Sequence, residues 1–305
     1  MRDPHAPRRS IDGFTRRGAS LAGETGKGMP AREPEMLRRE IAAARSRQRL
    51  ELVAVWTWQL VLLAVLLGGW AWASGRVVDR LFLSDPMSIA KAFWKLLVTG
   101  ELWYHLRFTL AETLIGYACG VSLGLVAAVG VALLPASQPV VMPYVMLFYA
   151  TPKIALAPLI IIWFGLGIFP KVVLATTFVF FVVFLNTLAG IAGVSPGLVA
   201  VARVMGARPL VLFRKVMLPS AMPFIVAALR ITIPAALIGA VVGEFISSNR
   251  GVGYLIAAAS SRYNTAAVFG GIFSLLIVVL VMDAAVTAIE RAWLRWAPRD
   301  RSPFR

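Results

Sequence analysis

The chain has 305 residues, of which 59% are hydrophobic and 15% charged, with a mean hydropathy of +0.76. Soluble domains carry about a quarter charged residues, so this composition excludes an ordinary soluble protein and points to the membrane. The net charge of +16 does not indicate nucleic-acid binding: 12 of the 31 Lys and Arg precede residue 51, ahead of the first apolar run, where they serve as a topology signal and a contact for anionic lipid.

Residues 1–35 are rich in Arg, Gly and Pro without apolar periodicity and read as disordered. Residues 36–50 read as a short basic helix, so 1–50 form a basic extension. No apolar core of a cleaved signal peptide is visible there. A transmembrane domain over 51–297 follows, with six predicted spans, and 298–305 form a tail. The first span covers 52–74, with Trp56, Trp58, Trp70 and Trp72 near its ends, where amphipathic rings suit the interface. Residues 75–109 are a polar connection with short helices. The second span, 110–134, carries Gly116, Gly120 and Gly124 on one face, which suits close helix packing or a contact with a second copy.

The third span, 140–168, is interrupted by Pro143, Pro152 and Pro158, with Lys153 between the last two. Proline inside a helix removes a hydrogen bond, and broken backbone in a bilayer persists only where protein or a wet cavity satisfies it. Pro152, Lys153 and Pro158 therefore suit the wall of a transport pathway, the alternative being a kink with Lys153 reaching an interface. The fourth span is 172–192. The fifth, 221–246, contains Pro234, Arg230 and, near its far end, Glu244. That carboxylate suits either a gate or a bond to the turn at Ser247, Ser248 and Asn249. The sixth span is 266–289.

Between spans four and five lies a polar loop, 193–218. Ser195 suits an N-cap and Pro196 the first helical position. Leu198, Val201, Ala202 and Met205 then share a face, and Gly206 stops the helix. Pro209 begins a second short helix with Leu210, Phe213 and Val216 on one side, before Leu218 and Pro219 lead into the next span. An apolar helix–turn–helix held between two spans can dock into a groove on another protein.

Charge sets the orientation. The N-terminal segment, the 193–218 loop and the C-terminal tail together carry 21 Lys and Arg, against eight in the opposite connections. The positive-inside rule places both termini and the loop in the cytoplasm.

The loop resembles the EAA loop of binding-protein-dependent ABC importer permeases. Gly206, Val216, Leu218 and Pro219 match that pattern at its spacing and Ala202 matches its second alanine, while Ala200 and Val201 replace the acidic residue and first alanine. The run 152–158 with Trp163-Phe164-Gly165, Asn186-Thr187, 251–256 and 290–296 resembles the nitrate, sulfonate and taurine branch. The likeness covers about residues 52–297. It implies an all-α bundle of six spans of the type I permease fold, with a cytoplasmic coupling helix–turn–helix, in a bacterial inner membrane. It further implies a second permease copy as a homodimer, two cytoplasmic ATPases, an extracytoplasmic binding protein, and alternating access for a small anion such as a sulfonate, taurine or nitrate. The coupling residues it implies are Val201, Ala202, Arg203, Met205, Gly206, Ala207, Phe213, Val216, Leu218 and Pro219.

No phosphate-binding Gly-rich loop ending in Lys-Ser/Thr occurs, so ATP–Mg belongs to a partner and no cofactor is expected on this chain. His5 and His105, both placed outside the spans, are the only histidines and Cys119 the only cysteine, leaving no catalytic or metal constellation. The rival reading is a secondary transporter driven by an ion gradient. It needs paired intramembrane ionisable groups, for which Lys153, Arg230, Glu244 and Asp283 are the candidates, and an internal repeat that the spans do not display.

Overall fold

A computed structural model describes the backbone of residues 54–293 and the side chains of 54–288. The basic extension 1–50 and the tail 298–305 lie outside the described residues. The chain divides after Gly69 into two units. The described part of the first is residues 54–69 of helix α1, Ala54–Ala73, whose 20 residues reach about 30 Å, the thickness of a bilayer's hydrocarbon core.

The second unit opens with a tight connection. Trp70 Nε1 donates to the Ser84 carbonyl at 3.1 Å and Ser74 Oγ to the Leu83 carbonyl at 2.6 Å. Asp85 then caps α2, Pro86–Val98, by accepting from the Ser88 amide at 2.8 Å. That bond holds the Asp85 carboxyl below its ordinary pKa. Helix α3, Glu101–Leu133, runs 33 residues and begins nine residues before the expected start of the second span. Its first turns are not a polar connection: His105, Thr109 and Glu112 are buried against neighbouring helices.

The third span is a broken pair, Pro135–Ala150 and Lys153–Phe164, bent by 81°. Its α-helical parts are α4, Gln138–Ala150, and α5, Ala157–Phe164. Helix α4 continues through Pro143, with Pro near the start of both helices, and the pair breaks at 151–152, ahead of a 3₁₀ turn at Lys153–Leu156. There Thr151 is extended and the Pro158 ring replaces an amide near the start of α5.

Helix α6, Phe169–Ala192, is the axis of the bundle. A Cβ on Gly116 would lie 2.4 Å from Ala175 Cβ, on Gly120 2.6 Å from Val179 Cβ, and on Gly124 2.9 Å from the Phe180 carbonyl. The glycine stripe of α3 thus lies along α6 within this chain, and the two helices run parallel. On the other side Gly239 and Gly243, from α9, Leu218–Ser247, approach Ala175 and Lys171 as closely, and Gly190 meets Phe224. Helix α9 is therefore antiparallel to α6. Without a hydrophobic drive between helices in lipid, such backbone approach supplies the packing.

Helix α7, Pro196–Val204, and the four-residue α8, Pro209–Leu212, form the loop. A π-turn, Phe213–Met217, joins α8 to α9, so Pro209–Ser247 is one helical column of 39 residues running uninterrupted through Pro219, Pro223 and Pro234. Helix α10, Val252–Ser261, and helix α11, Thr265–Trp293, complete the unit. They pack with α2 and the start of α3 around Leu96, Leu102, Val252, Leu255 and Ile256.

Helix α10 ends in a Schellman motif: the Asn264 amide donates to the Ala259 carbonyl and the Tyr263 amide to the Ser260 carbonyl, each at 2.9 Å. Tyr263 occupies the position glycine normally takes, with φ +54°, and is the only non-glycine with positive φ among the described residues. Holding a side chain there costs about 1–2 kcal/mol.

Candidate functional site: an exposed helical loop and a buried charge cluster at opposite ends of the bundle

The loop follows from its local chemistry. Pro196 and Pro209 each occupy a first helical position, where the missing amide costs nothing. Ser195 stands at the N-cap but makes no capping bond with its side chain. At the other end of α7 the Gly206 amide donates to the Arg203 carbonyl at 2.9 Å and the Ala207 amide to the Ala202 carbonyl at 3.0 Å, a Schellman motif with Gly206 at φ +79°.

This turn leaves an open apolar surface. Leu198, Val201 and Leu210 are more than half exposed, and Val204 and Met205 are 89% and 82% exposed. Arg203 and Arg208 stand among them. Phe213 does not share that surface. It is buried with Ile191, Ala221 and Ile225, anchoring α8 to the spans, while Val216, Leu218 and Pro219 are half-buried in the column behind it. Leu212 is buried beside Phe213, so α8 turns both inward and leaves Leu210 and Val211 outside.

At the break in the third span, Lys153 Nζ donates to the Tyr149 carbonyl at 2.9 Å and sits 4.9 Å from the Tyr149 ring and 5.4 Å from that of Phe181. The cation thus satisfies one of the carbonyls that α4 leaves open at its end and lies against two aromatic faces. Pro152 and Pro158 beside it are exposed.

Glu244 belongs elsewhere. It is 1% exposed, accepting from Thr109 Oγ1 at 2.7 Å and from the Gly253 amide at 2.6 Å, with no bond to 247–249 and none to Lys153. The carboxylate lines no open pathway in this conformation, and its bonds run to Thr109 and Gly253 instead of to the turn after α9. A Cβ on Gly251 would lie 2.0 Å from its Oε1, so the 251–253 backbone closes directly over the carboxylate. Thr109 Oγ1 also accepts from the Val252 amide at 2.8 Å, and His105 Nδ1 from the Gly251 amide at 3.1 Å. Three side chains of α3 and α9 thereby cap the amides at the start of α10.

Beside this lies an ion pair that the sequence reading passes over. Lys171 Nζ lies 2.9 Å from Glu112 Oε1 and donates to Ser248 Oγ at 2.8 Å, with both charged side chains about 5% exposed or less. The positive-inside count takes Lys171 as one of the eight charges of the opposite connections and gives Glu112 no weight. The available signal was one acid just inside one apolar run and one base just ahead of another. Arg230 Nη2 donates to Thr287 Oγ1 at 2.9 Å, joining α9 to α11. Among the described residues, no three His, Cys, Asp or Glu side chains gather to hold a metal ion.

The geometry defines a helical membrane subunit with an exposed apolar loop at one end and a sealed charge cluster at the other. Residues 120–295 match the family described as binding-protein-dependent transport system inner membrane component. SsuC of Bacillus subtilis (strain 168), provisionally named an aliphatic sulfonates transport permease, is 34% identical over 79% of this chain and 88% of that protein. RibX of Chloroflexus aurantiacus, a riboflavin transport system permease, is 30% identical over 83% and 94%. TauC of Escherichia coli (strain K12), a taurine transport system permease, is 26% identical over 86% and 97%. A solved structure of the inward-facing MetNI methionine ABC transporter matches with a TM-score of 0.55 at 25% identity, over 65% of this chain and 95% of that one. This chain belongs to that family: it is an ABC importer permease of the sulfonate and taurine branch.

Proposed function

We propose that two copies of this chain form the translocation pathway for a small organic anion of the sulfonate, taurine or nitrate class in a bacterial inner membrane. Both termini and the 193–218 loop lie in the cytoplasm. Two separate ATPases bind and hydrolyse ATP–Mg, and an extracytoplasmic binding protein delivers the solute. Helix α7 and the turn after it dock into a groove of the ATPase through Val201, Ala202, Met205 and their neighbours. Pro152, Lys153 and Pro158 line the pathway, where the cation favours an anion.

One observation carries the coupling role: Val204 and Met205, on a turn fixed by Gly206, are almost wholly exposed, and three residues after Gly206 the chain enters a continuous 39-residue column whose first turns are anchored by the buried Phe213. Apolar side chains so exposed at the end of a bundle mark a surface meant for a partner. Nucleotide-driven movement of the partner then biases two arrangements of rigid helices.

Gly206→Val tests this. No atom lies within 4 Å of a Cβ at Gly206, so the substitution acts through backbone conformation alone. The variant should reach the membrane at wild-type level yet retain the ATPase at least about tenfold less well in pull-down. Substrate-stimulated hydrolysis in nanodiscs should fall with it. Gly206→Asn, which tolerates positive φ, should lose much less. Wild-type ATPase retention and uptake in the valine variant would exclude the loop as the transmission element.

A further inference from the structure

At the end of the bundle opposite the loop, a cavity of about 320 Å³ opens between α2, the start of α3 and α10. Lys95, Glu101, Arg262 and Asn264 stand at its rim and His105 and Tyr254 line it. Because His105 Nδ1 accepts the Gly251 amide hydrogen, the ring proton sits on Nε2, which has no acceptor among the described residues and is left to the cavity as a donor. Asn264 Oδ1 accepts from the Ala267 amide at 3.2 Å, which leaves its amide nitrogen free to donate. Lys95, Glu101 and Arg262 form no ion pair with one another. Each sits at the helix end that suits its sign, so their field is modest and the uncommitted donors set the preference for an anion.

A second observation concerns the rim itself. Tyr263 holds the strained αL position between Arg262 and Asn264 and is 70% exposed. Nothing inside the fold calls for a ring there, since glycine would make the same Schellman turn without strain. A side chain kept against the backbone's preference and turned outward serves a contact outside the chain. Tyrosine and arginine are the residues that most often anchor protein interfaces.

We propose that Tyr263 and this cavity form a docking site for the extracytoplasmic binding protein, with the Tyr263 ring as the apolar anchor and a partner carboxylate entering the cavity to meet His105 Nε2, Asn264 and Arg262. The proposal rests on the importer reading above, which puts the binding protein at this end because the ATPase takes the other. Helix α10 carries the site, and its first amides are held by Thr109, His105 and Glu244, so docking acts directly on the sealed end of the bundle.

The test uses the assembled permease–ATPase complex in nanodiscs, titrated with its cognate binding protein. Tyr263→Gly should raise the Kd about tenfold while the melting temperature of the complex holds or rises, because glycine relieves the αL strain. Tyr263→Phe should bind close to wild type. Arg262→Glu should weaken binding further. A wild-type Kd for Tyr263→Gly would overturn the proposal, as would weakened binding accompanied by a lower melting temperature, which would make Tyr263 structural. Saturable binding of radiolabelled taurine to the complex without binding protein, abolished by Arg262→Glu, would make the cavity a solute site and overturn the docking role. If the wild-type complex itself retains no binding protein, the importer reading fails together with this one. Loss confined to the variants supports both.

Discussion

Lys171 is a cation two residues inside an apolar helix, and its placement depends on Glu112. Each alone would be an uncompensated charge enclosed by protein at membrane depth, which is costly. Together, with Ser248 accepting from the same ammonium, they join α3, α6 and the turn after α9. Removing one partner of a buried pair costs about 3–5 kcal/mol, whereas replacing both can be close to neutral. Lys171→Met should therefore lower the melting temperature in detergent sharply, and Glu112→Gln with Lys171→Met should recover at least half of the loss. Equal melting of the single and double variants would show that the pair contributes no coupling. Individual residues differ in how legible they are. Gly206 is readable because a helix stop needs positive φ and few residues supply it. Lys171 is not, because a charge at the edge of an apolar run looks alike whether it faces water or a partner distant in sequence.

Among the elements, the glycine stripe has a clear consequence. Gly120 has Val179 Cβ 2.6 Å from where its own Cβ would stand, while Gly130 on the same helix has nothing within 4 Å. Gly120→Ala should part α3 from α6 and lower stability by about 1–3 kcal/mol, as overpacking does. Gly130→Ala should leave it unchanged or slightly higher, since alanine favours the helix. Thermal melts of the two variants side by side decide it, and equal effects would mean the helices pack elsewhere. Four-residue spacing announced a close contact but could not say with which helix, because that depends on a pairing distant in sequence. The break in the third span was legible from its prolines, though its 81° bend was not. Phe213 shares a side with Leu210 by spacing, yet it packs on Ile191 of α6, a partner that spacing alone cannot name.

At the scale of the molecule, hydropathy delivered the five long apolar helices and the bent pair of the described residues but not their neighbours. The parallel contact of α3 with α6 requires the intervening segment to return across the bundle, which the bent pair does. Orientation rests on charge, and it predicts a labelling pattern. In a Cys119→Ser background, a cysteine at Arg203 should react with impermeant maleimide only once the cytoplasmic face is opened, and one at Arg262 should react in intact spheroplasts. Reaction at position 203 in intact spheroplasts would invert the topology. The function class was legible because the loop pattern and its spacing are local in sequence. The Glu244 cluster was not, because it is assembled from α3, α9 and α10.

The column Pro209–Ser247 is about 58 Å long at 1.5 Å per residue, enough to reach from one water layer to the other. One end follows directly on the loop turn and packs through Phe213 on α6, and near the other Glu244 grips the first turn of α10, beyond whose far end stands Tyr263. Partners at the two ends that favour different positions of one column cannot act independently. Their mutual influence is a single free energy, equal in both directions. If docking at the Tyr263 end tightens the hold of the loop on its ATPase by some factor, the ATPase state so favoured must tighten docking by that same factor. An ATPase trapped by a non-hydrolysable nucleotide is then a handle on affinity at the opposite membrane face.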